Sequence, residues 1–374
     1  VTVDVTVALP VRDGGPRLEA VLRAVRDQDT ARNVELLVCD SGSVDGSAEV
    51  ARSYGARVLR IAPSEFSHGA TRNLLVRSAG GAHVAFLTQD AVPATRRWLD
   101  ALLGGFDVAP DVALAFGPYV PRPGATPMTV HELESFFASI GDGRVDRLDV
   151  AQRALSPRAL LGARGFFSDA NGAILRAAWE RVPFRDVPYA EDQQLAVDML
   201  RAGYAKVYVA EAGVEHSHEY SAVQRVQRCF DEWRALREVY GFVEPLTLTT
   251  VRDRVLAPAK SDVLWARARG DSVAATVVPR VALAARATLH HAARAAGAAL
   301  GSRHDRLPPA VRRRLSLESR TTFPPIAPAT FSLDPPAAFA PDAPAAFPPD
   351  APGAFPPDTR ATFPRADREN DERA

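Results

Sequence analysis

"HVAFLTQDAVP", His83 to Pro93, opens as an apolar strand and runs out to a lone carboxylate, Asp90, with a proline close behind. A short continuous apolar run bounded in this way is the mark of a strand buried on both faces, as in parallel sheets. Working outward, the same pattern recurs. "VTVDVTVALPV" reads as a strand ending near Pro10, "PRLEAVLRAVRDQ" as a helix with Leu18, Val21, Leu22 and Val25 on one face, and "VELLVCDSG" as a second buried strand. A helix over "DGSAEVARSYG", a short strand "RVLRIAP" and a helix from Gly69 to Gly80 lead back to His83. Strands alternating with helices predict β-α-β units and an α/β fold: a Rossmann-like, mainly parallel sheet flanked by helices. Ligands of such sheets bind outside the carboxyl ends of the strands. Asp40 ends the second strand and Asp90 the fourth, so geometry alone sends two acids to one rim.

Beyond Val92 the pattern is less regular. A helix over "RRWLDALLGGF", an apolar segment "VALAFGPYV" and a helical stretch near Glu132 to Ser139 precede a Gly- and Arg-rich region, "LLGARGFFSDANGAILRAAWERVPF". "YAEDQQLAVDMLRAGY" is an amphipathic helix with an acidic start. "AKVYVAEAGVEHSHEYS" reads as two short strands, with Val214, His216 and His218 on one face if the second stays extended.

Composition bounds the rest. The chain of 374 residues, 47% hydrophobic, can bury a sizeable core. Its formal charge is zero, so no whole-chain field points to nucleic acid. Two cysteines are too few for a disulfide framework, and Cys39 sits in an apolar strand as a small hydrophobe. Without an apolar run of membrane-spanning length or a signal-like start, the expectation is a cytoplasmic protein. Three regions are expected: 1–221, the α/β domain; 222–320, helical and basic; and 321–374, a Pro-rich tail. Fourteen Lys and Arg stand against six Asp and Glu between Glu244 and Arg320. There Arg280, Arg286, His290 and Arg294 oppose an apolar stripe of Val281, Ala285, Leu289, Ala292 and Ala296. Such a helix lies on an anionic membrane surface, here the inner face, or packs against the main domain. In the tail Phe323, Phe331, Phe339, Phe347, Phe355 and Phe363 recur every eight residues among prolines. That composition predicts a disordered, partly polyproline II segment, suited to a protein partner with repeated pockets or arising by simple repeat expansion.

Four stretches carry chemistry. In "LLVCDSGSVDGS", Asp40 can accept from the N3–H of uracil or thymine, while Ser43 or Asp45 caps the next helix. In "FSHGATRNL", Arg72 offers a planar fork of donors to phosphate or base, or forms an ordinary salt bridge. "LTQD" places Asp90 where a divalent cation under a diphosphate would sit, Mg²⁺ or Mn²⁺, with His216 or His218 as a further ligand favouring Mn²⁺. In "YAEDQQLAVDML", Glu191 and Asp192 start a helix, as dipole-stabilised caps or as the source of a general base. Neither a GxxxxGK loop nor a GxGxxG turn is present, which disfavours an NTPase or a dinucleotide oxidoreductase.

With these stretches in view, Val5 to about Ser221 resembles the family 2 glycosyltransferases of the GT-A fold. "VALPVRDGG", "VCDSGSVDGS", "HGATRN", "FLTQDAVP", "AEDQQLAVDMLRAGY" and "VEHSHEYS" follow that family's order and spacing. "FSHGATRNL", "GPYVPRP" and "HSHEYS" are most similar to its bacterial rhamnosyltransferase branch, which uses dTDP-L-rhamnose on lipid-linked or polysaccharide acceptors. The resemblance implies an inverting transferase with Pro10, Asp40, Arg72 and Asp90 at the nucleotide, Asp90 and His216 at the metal, and Asp192 of the Glu191–Asp192 pair as base. Many members carry D-x-D where this chain has Thr88, Gln89 and Asp90. A UDP-sugar donor and a catalytically silent scaffold in envelope polysaccharide assembly are the alternatives.

Overall fold

The computed structural model describes residues 2–160, 162–269 and 280–318; the octad tail lies outside the described residues. Among the described residues eleven strands run β1 (Val5–Val11), β2 (Val34–Asp40), β3 (Arg57–Arg60), β4 (His83–Leu87), β5 (Val92–Pro93), β6 (Val112–Phe116), β7 (Tyr119–Val120), β8 (Val145–Asp146), β9 (Asn171–Leu175), β10 (Ala205–Tyr208) and β11 (Val214–Glu215). Eight of them form one sheet in the order β3-β2-β1-β4-β9-β6-β10-β8, and β5-β11-β7 form a second, three-stranded sheet.

The first four strands and their helices form the expected β-α-β half, with β1, β2, β3 and β4 mutually parallel. Because successive side chains on a strand alternate in direction, β1 feeds both faces of the sheet. Val5, Val7 and Leu9 join Leu18, Val21 and Leu22 of helix Gly15–Arg26 on one side, while Ala8 meets Leu37, Leu75 and Phe86 on the other. Each such buried Leu or Phe contributes about 1.5–3 kcal/mol relative to an exposed one. Pro10 sits where its missing N–H does no harm: β4 pairing stops at Ala8, while β1 continues along β2 to Val11. Cys39 is buried and free, and burial pushes its thiol up to about 11.

The second half departs from the sequence reading. "SDANGAIL" contains β9, a fully sheeted strand that runs antiparallel to both β4 and β6. Its glycine and short side chains hide a strand signal that burial between two neighbours supplies instead. "VALAFGPYV" divides at Gly117 and Pro118 into β6 and β7, which belong to different sheets. Asp90 does not end β4: that strand stops at Leu87, and Asp90 lies on the following turn. The expected strand through "VEHSHEYS" closes after Glu215, although the His216 N–H still reaches the Val120 carbonyl at 3.0 Å.

The helical region packs onto this frame. Helix Ala222–Tyr240 lies so close to helix Arg280–Gly301 that a Cβ on Gly301 would stand 2.3 Å from the Phe230 carbonyl oxygen. Asp262 ties three helices together, meeting His131 Nδ1 and His291 Nε2 at 2.7 Å each. The polar face of Arg280–Gly301 turns partly inward: His290 is buried, and Arg294 pairs with Glu132. The apolar stripe faces outward, with Val281 80% and Leu289 59% exposed. The helix thus packs against the main domain, but through its polar side, because His290 and Arg294 find an ionic partner in Glu132 on helix Pro127–Ile140. No helix among the described residues is long and apolar enough to cross a membrane.

Candidate active site

Two groups of side chains meet at the carboxyl-end rim. The first gathers around Asp90. His216 Nδ1 lies 3.6 Å from Asp90 Oδ1 and His218 Nε2 3.4 Å from Asp90 Oδ2, and one ligand atom from each of the three residues falls within 4.8 Å of the others. The β7–β11 pairing delivers the histidines, and the turn after β4 delivers the acid. Arg122, from "GPYVPRP", donates to Asp90 Oδ2 at 3.0 Å and to the Ser217 carbonyl at 2.6 Å, and Thr88 Oγ1 donates to Asp90 Oδ1 at 3.0 Å. Gln89, at the centre of the would-be D-x-D, instead accepts the Arg12 N–H and so faces β1.

Burial works to raise the Asp90 carboxyl, but the two histidines, Arg122 and Thr88 outweigh it and hold it below the usual range. Burial pushes His216 down to about 4, so its imidazole is neutral, with Nδ1 buried and without a hydrogen-bond partner. An orphaned ring nitrogen beside a carboxylate and a second imidazole fits a divalent cation. The mixed nitrogen and oxygen set suits Mn²⁺ better than Mg²⁺.

The second group is a buried ionic cluster. Arg72 Nη1 lies 2.9 Å from Glu191 Oε1, and Arg72 Nη2 donates to Asp169 Oδ1 at 2.7 Å. All three side chains are almost fully buried. Helix His68–Ser78 can present Arg72 there because Gly69 lets it press against the chain at Arg185: an added Cβ would stand 2.0 Å from that carbonyl oxygen. Helix Glu191–Arg201 starts on Ala190, which takes the left-handed conformation at φ +59°. Such a backbone costs a non-glycine residue about 1–3 kcal/mol and gathers at functional sites.

The adjacent acids diverge in character. Burial acts to raise Glu191, but Arg72 and His68 overcome it and keep the carboxyl ionised. Asp192 keeps partial access to solvent, and burial together with the Glu191 charge raises it to about 6, against the pull of Arg72. Asp169 is raised well above its ordinary value by burial, and the charges on Glu191 and Asp192 add to this against Arg72.

Tyr119 joins the groups. Its ring centroid lies 4.9 Å from that of His216, its hydroxyl hydrogen-bonds Ser168 beside Asp169, and its phenol feels the Asp192 charge. Tyr119 therefore stands between the Asp90–His216 group and the group of Arg72, Asp169, Glu191 and Asp192. Arg72 gives its guanidinium to both neighbouring acids, Glu191 and Asp169. Asp40 is buried at the end of β2 and accepts the Ser43 N–H at 3.1 Å, while Asp45 accepts the Ser47 N–H at 3.0 Å. Pro10 lies beside Cys39, one register step before Asp40. Asp169, Arg122 and Tyr119 carry no assignment from sequence. Asp169 had one signal, a lone acid among small residues in "FSDANGA".

The family model for glycosyl transferase family 2 matches residues 6–166. The O-antigen chain rhamnosyltransferase RfbN of Salmonella typhimurium is 32% identical over 232 residues, 61% of this chain and 70% of that protein. The O-antigen chain rhamnosyltransferase WbaN of Salmonella anatum is 32% identical over 209 residues, 54% of this chain and 63% of its own length. The match therefore spans less than two thirds of WbaN. Among solved structures, the mannosyltransferase PcManGT from Pyrobaculum calidifontis, in complex with GDP-Man and Mn²⁺, superposes with a TM-score of 0.51 at 19% identity, over 79% of this chain and 86% of that one. The chain belongs to glycosyl transferase family 2 and has the GT-A fold.

Proposed function

We propose that the protein is an inverting glycosyltransferase that moves L-rhamnose from dTDP-L-rhamnose to a hydroxyl of a lipid-linked or polysaccharide acceptor. The observation that carries this reading is the division of labour in the Glu191–Asp192 pair. One acid is spent on Arg72; the other is poised near neutrality and partly open to solvent. The similarity to two O-antigen rhamnosyltransferases supports the choice of sugar.

In this reading Asp192 takes the acceptor hydroxyl proton as the oxygen attacks the anomeric carbon. The bond from that carbon to the diphosphate breaks on the opposite face, and its electron pair leaves on the phosphate oxygen. Asp40 accepts from the pyrimidine. Asp90, His216 and His218 hold a divalent cation, which when bound supplies positive charge to the departing diphosphate. Arg72 and Asp169 fix Glu191, and with it the start of the helix that aims Asp192. The exposed apolar side chains of Leu248, Val251, Leu256, Leu264, Val281 and Leu289, with the exposed Arg252, Arg254 and Arg286, make peripheral contact with a membrane carrying the acceptor.

Ranking dTDP, UDP and GDP by thermal shift with Mn²⁺ present tests the donor class, since a ligand bound only by the folded state raises its stability by about 2.7 kcal/mol at a hundredfold excess over Kd. The expected order puts dTDP first. A larger shift with GDP, or none with any of the three, would overturn the reading.

A further inference from the structure

The last described residues of the chain return to the candidate active site. Asp231, on helix Ala222–Tyr240 and fully buried, accepts the Ser316 hydroxyl at 2.7 Å, the Leu317 N–H at 2.8 Å and the Glu318 N–H at 3.2 Å. A buried carboxylate thus binds three consecutive residues of an otherwise irregular segment. Charge-assisted bonds of this kind are roughly twice as strong as neutral ones. The segment is therefore held in place, and it carries Glu318 to the catalytic acids: Glu318 Oε2 is 3.6 Å from His68 Nε2, and His68 Nδ1 is 3.8 Å from Glu191 Oε1.

The surroundings of Glu318 suit a sugar. Arg228 Nη1 lies 3.6 Å from Glu318 Oε1, and the same guanidinium stands over the Tyr189 ring at 4.8 Å. Tyr220 stacks on His218, one of the Asp90 partners, with centroids 5.6 Å apart. Tyr189 precedes the catalytic pair by two residues. Arg228 and Glu318 keep 36% and 24% of their side-chain surface in solvent. Two partly exposed rings, a guanidinium and a carboxylate thus stand beside His218, which reaches Asp90, and His68, which reaches Glu191. Flat apolar rings suit the C–H face of a pyranose, and a charged donor and acceptor side by side suit adjacent hydroxyls.

We propose that Tyr189, Tyr220, Arg228 and Glu318 form a subsite for a pyranose ring of the acceptor, and that the Ser316–Glu318 segment is its wall. The proposal rests on the glycosyltransferase reading, because it assigns the incoming hydroxyl to a sugar. The full chain, Mg²⁺ and dTDP are mixed with methyl glycosides of L-rhamnose, D-galactose and D-mannose, and binding is followed by saturation-transfer NMR. At least one glycoside is expected to bind, with affinity about tenfold weaker in Glu318→Gln, the loss of one charge-assisted hydrogen bond. Ser316→Ala, which only loosens the anchor, should weaken the same glycoside while leaving the dTDP thermal shift unchanged. No glycoside bound by the wild type, or equal affinity in Glu318→Gln, overturns the subsite. Loss of the dTDP shift in the wild type would instead overturn the reading beneath it, so the two failures are distinct. Should Glu318→Gln misfold, its own dTDP shift reveals it, and Ser316→Ala then decides the matter.

Discussion

Arg72 and Glu191, from helices more than a hundred residues apart in sequence, face each other at 2.9 Å inside the protein. That one ion pair separates the roles of two neighbouring acids. Glu191 is held ionised by its partner, and Asp192, raised to about 6 by burial and by that neighbouring negative charge, is the group able to take a proton near neutral pH.

Asp192→Asn should lower sugar transfer at least about a hundredfold, the usual contribution of a positioned base. Nucleotide binding should stay as it is, because Asp192 serves the acceptor side. A stopped assay of sugar release alongside a dTDP thermal shift checks both halves, and a fully active variant would remove Asp192 from the role.

The pH profile follows from the same group. A base works deprotonated, so with Asp192 raised to about 6 the kcat/KM should climb with pH through that value and level off above it. The sign for stability is opposite. A carboxyl raised on folding favours the protonated native state, so its contribution is present below the unfolded value and lost as pH rises through about 6. Glu191→Gln removes the adjacent negative charge and should move the acid limb of the activity profile to lower pH. A limb that stays in place in that variant would separate the two acids.

Arg72→Met leaves Glu191 and Asp169 buried without their cation. Breaking a buried pair in this way costs about 3–5 kcal/mol. The midpoint of urea unfolding should fall while the slope stays constant. A shift within the range of a surface mutation would contradict the burial described here.

Asp90→Ala should remove the dependence of nucleotide binding on Mn²⁺, and His216→Ala should weaken it. Titrating dTDP with and without Mn²⁺ reads this directly. Undiminished Mn²⁺ enhancement in Asp90→Ala would move the cation elsewhere.

Gly69→Ala introduces a Cβ 2.0 Å from the Arg185 carbonyl oxygen. Overpacking against backbone costs about 1–3 kcal/mol, so the melting temperature should drop. Activity should drop with it, since the displaced helix carries Arg72.

The β-α-β half was legible from the sequence because its strands are continuous apolar runs and its helices keep Leu18, Val21, Leu22 and Val25 at helical spacing. Asp40, Glu191 and Asp192 were legible as acids at strand or helix ends, and Asp90 as the acid following β4, though it lies on the turn beyond the strand. Asp169 was not, because β9 is short, rich in small residues and buried only through its two neighbours. Arg72 was found but not its partners, which are 97 and 119 positions away and meet it only through tertiary packing. The orientation of helix Arg280–Gly301 escaped the periodic reading for a related reason. A moment shows that two faces differ but not which one finds a partner, and Glu132 decides that from another helix.

The Asp231 anchor also bears on how the protein is made. Chains leave the ribosome N-terminus first, and early segments begin to pack while later ones are still being synthesised. Asp90, Glu191 and Asp192 precede Asp231 in the chain, yet Asp231 receives Ser316, Leu317 and Glu318 only at the end of the described chain. The segment that Asp231 holds is therefore made last among the described residues, long after the acids it comes to lie beside.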